Sequence, residues 1–517
     1  MVNRSKNKQL AINLISSFVA FGTNLGINFF LTPFIVKKLG IEAYGFLGLS
    51  SNIIGYTGLI TVALNMMAGR FIAIKYQQGN YDDANKFFSS VFFSNLILSA
   101  IIIIALIICL FNLELFFEIP KHLVLDVKAL FSFSIFTTIA GLLTNVYGVA
   151  TFIKNRLELS AIRRIIGNIF RAGSLIILFS FFPPHLWYYG ITGILVTIYI
   201  SITNYGYTRK LTPELYLSYK NYNWEKVKEL LSAGVWGIVN KLSGMLGHGF
   251  DLVFANIFIN ATAMGLYSMS KSIPIMILHV FGMIAGVFAP LFTQLWAQKK
   301  NEELKSEINK AIRICGFFAN IPLVCLFVFG ESFYKLWLPN QDAAKLQLLT
   351  IIGSLNFMVS MPLEPLWNIF TITNKLKLSS LFMLGINVLV FLTVMSSMFF
   401  VDSLDARLLI LAGTSTFWNN LKNLFFLPMY GAYCLGYKKT AFYRPLLKSV
   451  SCFVLEIILC FPLRFIMTID SWVKLIFFAC LATTLCFVTN YWISLENNDR
   501  AFIKQRVGNL KNKIPWL

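Results

Sequence analysis

The sequence contains little charge. Asp, Glu, Lys and Arg make up 13% of its 517 residues, whereas 57% of the residues are hydrophobic. Soluble globular proteins carry roughly 25% charged residues. This composition excludes an ordinary soluble domain and predicts a chain that lies mostly in a lipid bilayer.

The motifs of common enzymes and ATPases are also missing. The sequence has no glycine-rich phosphate loop and no paired histidine and carboxylate motif. The loops between its apolar stretches are short, which leaves no room for the catalytic domain of a membrane-bound glycan polymerase or ligase. We therefore predict that the protein is not an enzyme and binds no cofactor.

The eight cysteines are not spaced as metal ligands. All of them fall within or at the ends of apolar segments, where a free cysteine behaves as a small hydrophobic residue. We predict no metal site and no disulfide.

Long apolar stretches are what the sequence has in abundance. A helix needs about 20 such residues to cross the hydrocarbon core of a membrane. Stretches close to this length cover residues 11–36, 46–69, 87–110, 129–153, 165–182, 188–205, 232–257, 266–296, 312–329, 346–372, 379–400, 408–435, 449–469 and 475–494. The predicted fold class is an all-α polytopic membrane protein with about 14 transmembrane helices.

Lysine and arginine lie mainly on one side of these stretches. Most of the 44 basic residues fall in the two termini and in every second loop. Cytoplasmic loops of membrane proteins carry such an excess, so both termini are predicted to be cytoplasmic. Attraction to anionic lipid accounts for most of the net charge of +21, and we predict no nucleic-acid partner.

An internal repeat divides the chain. Residues 40–50 align with residues 260–270, with identities at Ala43 and Ala263, Gly45 and Gly265, and Ser50 and Ser270. Repeats of this kind recur in transporters. The connection 206–231 joins the two halves, and its amphipathic run at 224–231 is predicted to form a helix on the inner membrane surface.

These boundaries predict three parts. Residues 1–220 form an N-terminal six-helix half and residues 221–436 a C-terminal six-helix half. Residues 437–517 add two transmembrane helices and a basic cytoplasmic tail. The two pseudo-symmetric halves and the added helices are expected to surround a central cavity.

Short motifs in both halves resemble those of a known family. They are Pro33, Leu-Gly-Ile-Glu-Ala-Tyr-Gly at 39–45, Arg-Phe-Ile-Ala at 70–73, Gly79, Trp236, Asp251, Gly-Leu-Tyr at 265–267 and Pro290. On these residues the chain resembles the polysaccharide-biosynthesis flippases, the O-antigen and capsule transporters of the multidrug/oligosaccharidyl-lipid/polysaccharide (MOP) exporter superfamily. The resemblance covers the whole chain in span number and loop register.

The resemblance implies a flippase in the bacterial cytoplasmic (inner) membrane. Its implied substrate is an undecaprenyl-diphosphate-linked oligosaccharide repeat unit, moved by alternating access for O-antigen lipopolysaccharide, capsule or exopolysaccharide synthesis. Implied partners are membrane lipid, a polysaccharide polymerase and chain-length machinery. A flippase for the peptidoglycan lipid precursor and an ion-coupled multidrug exporter of the same superfamily remain alternatives.

Lysines within the predicted helices mark a candidate site. A cation at mid-bilayer costs about 2.5–3.5 kcal/mol even on lenient scales, so it requires a partner, a water-filled cavity or a ligand. Lys422 lies in a cluster of asparagines, and Lys241 lies one heptad before His248 on one helix face. The residues predicted to bind substrate are Lys241, Lys422, Asn24, Asn28, Asn419, Asn420, Asn423, Trp236, His248 and Lys271.

Two carboxylates have predicted roles in ion coupling or in structure. Asp251 is expected near the depth of Lys271, so the pair either forms a salt bridge or leaves Lys271 to the substrate. Glu364 lies between Pro362 and Pro365, where the helix should be interrupted. Interrupted helices often mark the substrate sites of transporters.

Overall fold

The computed structural model describes residues 6–373, 375–496 and 500, and every regular element in these residues is helical. The all-α prediction is therefore confirmed for this part of the chain. Residues 501–517, which hold most of the predicted basic tail, lie outside the described residues, as does Arg4. The cytoplasmic position of the two termini stays a prediction.

The chain forms two compact units, Met1–Ser268 and Met269–Leu517. The first unit contains α1 (Lys6–Leu39), α2 (Ile41–Gln77), α3 (Tyr81–Phe111), α4 (Leu113–Phe116), α5 (Val124–Thr144), α6 (Val149–Ile153), α7 (Leu157–Phe181), α8 (Tyr188–Leu211), α9 (Trp224–Gly244) and α10 (Asp251–Phe258). The next helix, α11 (Ala261–Gly286), begins in the first unit and ends in the second.

The second unit continues with eleven helices. They are α12 (Ala289–Ala297), α13 (Asn301–Trp337), α14 (Ala343–Ser354), α15 (Phe357–Leu363), α16 (Trp367–Ile372), α17 (Leu376–Phe400), α18 (Leu404–Leu421), α19 (Leu427–Leu435), α20 (Tyr443–Cys460), α21 (Leu463–Ile466) and α22 (Trp472–Ile493).

The chain is a multi-pass membrane protein. Among the described residues, nine helices are long and apolar enough to cross a membrane, or up to eleven when each of two bent helix pairs counts as one span. Some extend beyond the hydrocarbon. The 31 residues of α3 correspond to about 46 Å, against about 30 Å of hydrocarbon.

Polar residues in the loops begin several of these helices. The Asn80 side chain accepts a hydrogen bond from the backbone N–H of the third residue of α3, and Asn223 accepts from two N–H groups of α9. Such side chains pair with donors that have no partner inside the helix. Gly436 ends α19 with a φ of 74°, a left-handed conformation that favours glycine.

Close packing of α2 and α9 organises the first unit. A Cβ on Gly234 of α9 would clash with the backbone of Ala63 of α2. Small residues of this kind let helix backbones approach each other inside a bilayer.

The amphipathic run at 224–231 is not a separate surface helix. It forms the first two turns of α9, which continues without a break to Gly244. The prediction was wrong because Asn223 caps the helix at Trp224, while Val227 and Leu230 are buried in the first unit and hold this end against the bundle.

The two aligned glycines of the internal repeat meet in the first unit. A Cβ on Gly45 of α2 would lie 3.0 Å from the Cα of Gly265 of α11, and a Cβ on Gly265 would clash with the backbone of Ile41. Both positions therefore need glycine for the same helix contact. This contact gives the weak sequence repeat a physical cause.

Helix α13 is the centre of the second unit, where it packs against α14, α15, α20 and α22. The contact with α20 and α22 is polar as well as apolar. Glu456 of α20 is fully buried and accepts hydrogen bonds from Thr489 at 2.7 Å and from Asn490 at 2.5 Å. The Asn320 amide of α13 donates to Asn490 at 3.2 Å. The bonds of Glu456 join the two added helices to each other, and the Asn320 bond joins this pair to α13.

Candidate functional site

Two neighbouring segments of the second unit depart from regular α-helix. A π-helical turn, Lys422–Phe426, separates α18 from α19. A 3-10 turn, Glu364–Leu366, separates α15 from α16, next to Pro362 and Pro365. Proline removes a backbone donor, and single π-helical turns occur frequently at functional sites. Lys422 and Glu364 are the first residues of these two turns.

The Lys422 side chain is buried, with 8% of its surface exposed. Its Nζ donates a hydrogen bond of 2.7 Å to Oδ1 of Asn419. The Asn419 amide nitrogen donates to the Ser415 carbonyl at 2.8 Å, which turns its oxygen toward the lysine. An ammonium has three donors, and Asn419 is the one hydrogen-bond acceptor that the described residues offer to it.

Glu364 balances the charge of Lys422 from a distance. The two groups interact electrostatically. Within the described part of the chain, however, no carboxylate oxygen lies within 4.0 Å of the Lys422 Nζ. The lysine is therefore compensated without being held in an ion pair, which leaves its ammonium available to a second anion.

Trp367 belongs to this site although sequence reasoning missed it. The Lys422 Nζ lies 5.8 Å from the centroid of its ring, within the range of a cation–π interaction. Trp367 follows Glu364 by three residues, so the two side chains share a helix face. In the sequence, the position of Trp367 three residues after the mid-span Glu364 was the feature that could have indicated this contact.

The two other asparagines of the cluster differ in exposure. Asn423 is 3% exposed, whereas Asn420 is half-buried. The side-chain oxygen of Asn420 is buried and accepts no hydrogen bond from any described residue. A buried acceptor without a donor is destabilising, and a substrate hydroxyl would relieve it.

Two candidates of the first unit, Lys241 and His248, lie next to or within a second π-helical turn, Met245–Gly249, which follows α9. Lys241 is exposed near the end of α9, and Trp236 is half-buried. A Cβ on Gly58 would lie 3.7 Å from the Lys241 Cε. His248 falls in the turn itself, and its side chain lies outside what the structure describes.

Asn24 and Asn28 pair with each other on α1. The Asn28 amide donates to the Asn24 oxygen at 3.0 Å, and both are half-buried. Within the described part of the first unit, no hydrogen bond joins this pair to Lys241 or Trp236. The pair is thus a separate polar position on the first span.

Asp251 has a partner that was not predicted. Its side chain is 5% exposed and accepts a hydrogen bond of 3.1 Å from the Tyr267 hydroxyl. Lys271 belongs to the second unit, and its pairing with Asp251 stays a prediction. Of the predicted site residues, the structure brings Lys422, Asn419 and Glu364 together.

Comparison with known proteins identifies the family. The sequence matches the family described as "Polysaccharide biosynthesis protein" over residues 39–341, more than half of the chain. The chain belongs to this family. The uncharacterized membrane protein EpsK of Bacillus subtilis (strain 168) is 27% identical over 509 residues, which is 98% of this chain and 99% of that protein.

Solved structures share the fold of this family member. An inward-facing multidrug resistance MATE family transporter of the MOP superfamily has a TM-score of 0.60 at 15% identity and covers 83% of this chain and 97% of its own. The lipid II flippase MurJ, in an inward closed conformation, has a TM-score of 0.60 at 14% identity and covers 92% of this chain and 98% of its own. The resemblance seen in the short motifs is confirmed, and the chain has the MOP transporter fold.

Proposed function

We propose that the protein is a flippase that carries a lipid-linked oligosaccharide across the membrane for polysaccharide synthesis. The family match supports the pathway, and the shared fold supports transport. The headgroup of such a lipid contains a diphosphate and sugar hydroxyls, which lose their hydration in hydrocarbon. The flippase has to replace that hydration with its own polar groups.

Lys422 is the observation that carries this proposal. Among the described residues, Asn419 is the one acceptor for its buried ammonium, so the ammonium offers donors and a positive charge to a phosphate or an acidic sugar. Lysine binds phosphate as a point charge. The Asn420 oxygen, which has no donor among the described residues, accepts a hydrogen bond from a sugar hydroxyl. The Trp367 ring provides a flat apolar face for a sugar ring.

The topology of this flippase includes all fourteen apolar stretches. Besides the helices already recognised as spans, α8, the α9–α10 run and the α18–α19 run also cross the membrane. The last two are each interrupted by a π-helical turn and carry Lys241 or Lys422, which makes them less uniformly apolar than the others. Both termini are cytoplasmic, and conformations open alternately to each side of the bacterial inner membrane.

Two alternative substrates have weaker support. The MurJ neighbour is named as a flippase of lipid II, and another neighbour as a multidrug transporter. A buried lysine disfavours cationic drugs because like charges repel in a low-dielectric site. Lipid II differs from the proposed substrate in its sugar and peptide part. The family match to polysaccharide synthesis disfavours lipid II as the substrate.

Depletion of the protein tests the proposed function. We expect lipid-linked polysaccharide repeat units to accumulate in the inner leaflet while the peptidoglycan precursor stays at its normal level. Accumulation of the precursor instead would support the lipid II alternative. If neither lipid accumulates, the protein is not a flippase for either one.

Substitution of Lys422 tests the site. Lys422→Ala should lower surface polysaccharide strongly at unchanged protein level, whereas Lys422→Arg should keep part of it because the charge is retained with a different reach. Lys377→Ala is the matched control, since Lys377 is an exposed lysine of the same unit. Equal export by Lys422→Ala and the control would remove Lys422 from the site.

A further inference from the structure

The segment between α8 and α9, residues 212–223, is bound along the side of α3; we call it the linker. Asn85 pairs with the backbone N–H of Tyr216 at 2.9 Å and with the carbonyl of Glu214 at 2.9 Å. Ser89 and Ser90 of α3 accept from the N–H groups of the linker residues 218 and 223, at 3.2 and 2.9 Å. The linker therefore has a fixed course on the first unit.

The carboxylate of Glu214 in the linker also has a fixed hydrogen-bond partner. The Tyr76 hydroxyl donates to the Glu214 carboxylate at 2.6 Å, and this bond is the main cause that holds the pKa of Glu214 below its ordinary value. Glu214 is thus occupied by α2 and does not neutralise the basic residues of the linker.

The course along α3 sets the depth of the linker. Ser89 and Ser90 follow the start of α3 at Tyr81 by about 12–14 Å at helical rise, just after the apolar stretch of this helix has begun. The Tyr219 ring lies 5.5 Å from the ring of Phe93, which is one turn deeper. The linker therefore lies at the level where headgroups meet hydrocarbon.

Large aromatic side chains of this region point away from the protein. Tyr216, Tyr219 and Trp224 are 51%, 78% and 54% exposed. Tyrosine and tryptophan have an apolar body and a polar tip, and they are enriched at membrane interfaces for this reason.

Basic residues accompany these rings. Arg209, Lys210, Lys220 and Lys228 are exposed, and none of them has a carboxylate oxygen of the described residues within 4.0 Å. Exposed cations near the inner membrane surface attract anionic lipid, at roughly 1 kcal/mol per charge, or about 5-fold in affinity.

We propose that the linker and the adjacent ends of α8 and α9 form a binding surface for anionic phospholipid headgroups of the inner leaflet. The aromatic rings enter the interface beside α3, and the four basic residues bind the lipid phosphates. This surface belongs to the first unit, which it holds at a defined depth in the membrane.

Lipid titration of the detergent-solubilised full chain tests the proposal. Native mass spectrometry counts the phosphatidylglycerol or phosphatidylcholine molecules bound to the wild type, to Lys220→Gln with Lys228→Gln, and to Tyr219→Ala. We expect phosphatidylglycerol to bind the wild type more tightly than phosphatidylcholine. The double lysine variant should bind it roughly 25-fold less tightly, from two charges at about 5-fold each.

A matched control uses lysines of another predicted inner loop. Lys438→Gln with Lys439→Gln removes two exposed charges of the second unit and should leave phosphatidylglycerol binding to the linker unchanged. The proposal is overturned if both lipids bind the wild type equally, if the control pair weakens binding as much as the linker pair, or if glycerol phosphate competes as well as the lipid. All substituted side chains are exposed, and gel filtration checks that each variant remains monodisperse.

Discussion

Lys422 and Glu456 are both buried ionisable residues of the second unit, yet their surroundings differ. Glu456 lies on a regular helix, and α22, which packs against it, supplies hydrogen bonds from Thr489 and Asn490. Lys422 lies on a π-helical turn near a 3-10 turn, and among the described residues its one hydrogen bond is to Asn419. Burial alone therefore does not distinguish a structural charge from a functional one.

The local backbone and the partners make the distinction. Regular helices whose polar side chains bond across a contact hold elements together, as Glu456 Oε1 does at the contact of α13, α20 and α22, although Glu456 Oε2 accepts no hydrogen bond from the described residues. Irregular turns with under-used donors leave hydrogen-bonding capacity for a ligand. On this comparison we propose that Glu456 is structural and that Lys422 binds substrate.

The largest effect on stability is expected for Glu456→Ala. It leaves one N–H of the buried Asn490 amide without its acceptor, whereas the Thr489 hydroxyl can still donate to the Leu485 carbonyl. An unpaired buried group costs about 1–3 kcal/mol. Glu456→Gln keeps the accepting oxygen and should lose much less. Thermal unfolding in detergent measures both, and equal midpoints for the two variants would contradict the structural assignment.

Gly316→Ala should have the next largest effect. A Cβ at Gly316 of α13 would clash with Ser449 of α20, and overpacking of this kind costs about 1–3 kcal/mol. Gly353→Ala is the control because a Cβ there meets nothing within 4 Å. If the two alanine variants unfold at the same temperature, α20 is not packed against α13 as described.

A smaller effect is expected for Trp367→Leu, and it should appear in transport. The variant removes the aromatic face beside Lys422, and a cation–π contact contributes about 0.5–2 kcal/mol. Trp367→Phe keeps a face and should retain more activity. The rate of export is measured for both variants at matched protein level. Unchanged export in Trp367→Leu would exclude Trp367 from the site.

Much of the fold could be predicted from the sequence, because the bilayer requires long apolar stretches to form spanning helices and favours basic loops on the cytoplasmic side. The all-helical class and the family were predicted correctly, the latter from motifs such as residues 39–45. Helix interruptions at Glu364 were suggested by Pro362 and Pro365. The π-helical turns had no such signal, since no residue type specifies them.

The candidate site was less predictable. The asparagines around Lys422 identified one charged cluster, but the approach of Trp367 depends on how α16 packs against α19, which spacing along the chain does not encode. The amphipathic run at the start of α9 was misassigned because its polar face resembles that of a surface helix. Tertiary packing of Val227 and Leu230, which decides the outcome, is not visible in the run itself.

Substitution of the two buried charges in one transport assay tests the comparison most directly. Lys422→Met and Glu456→Gln are reconstituted at equal amounts, and both the rate of lipid-linked oligosaccharide translocation and the unfolding midpoint are measured. Lys422→Met leaves Glu364 without its compensating charge, and removal of one partner of a buried charge pair is destabilising. We therefore predict that Lys422→Met is folded but less stable than the wild type and inactive, while Glu456→Gln remains active. An active Lys422→Met protein, or loss of transport in a stable Glu456→Gln protein, would contradict the assignment of the two sites.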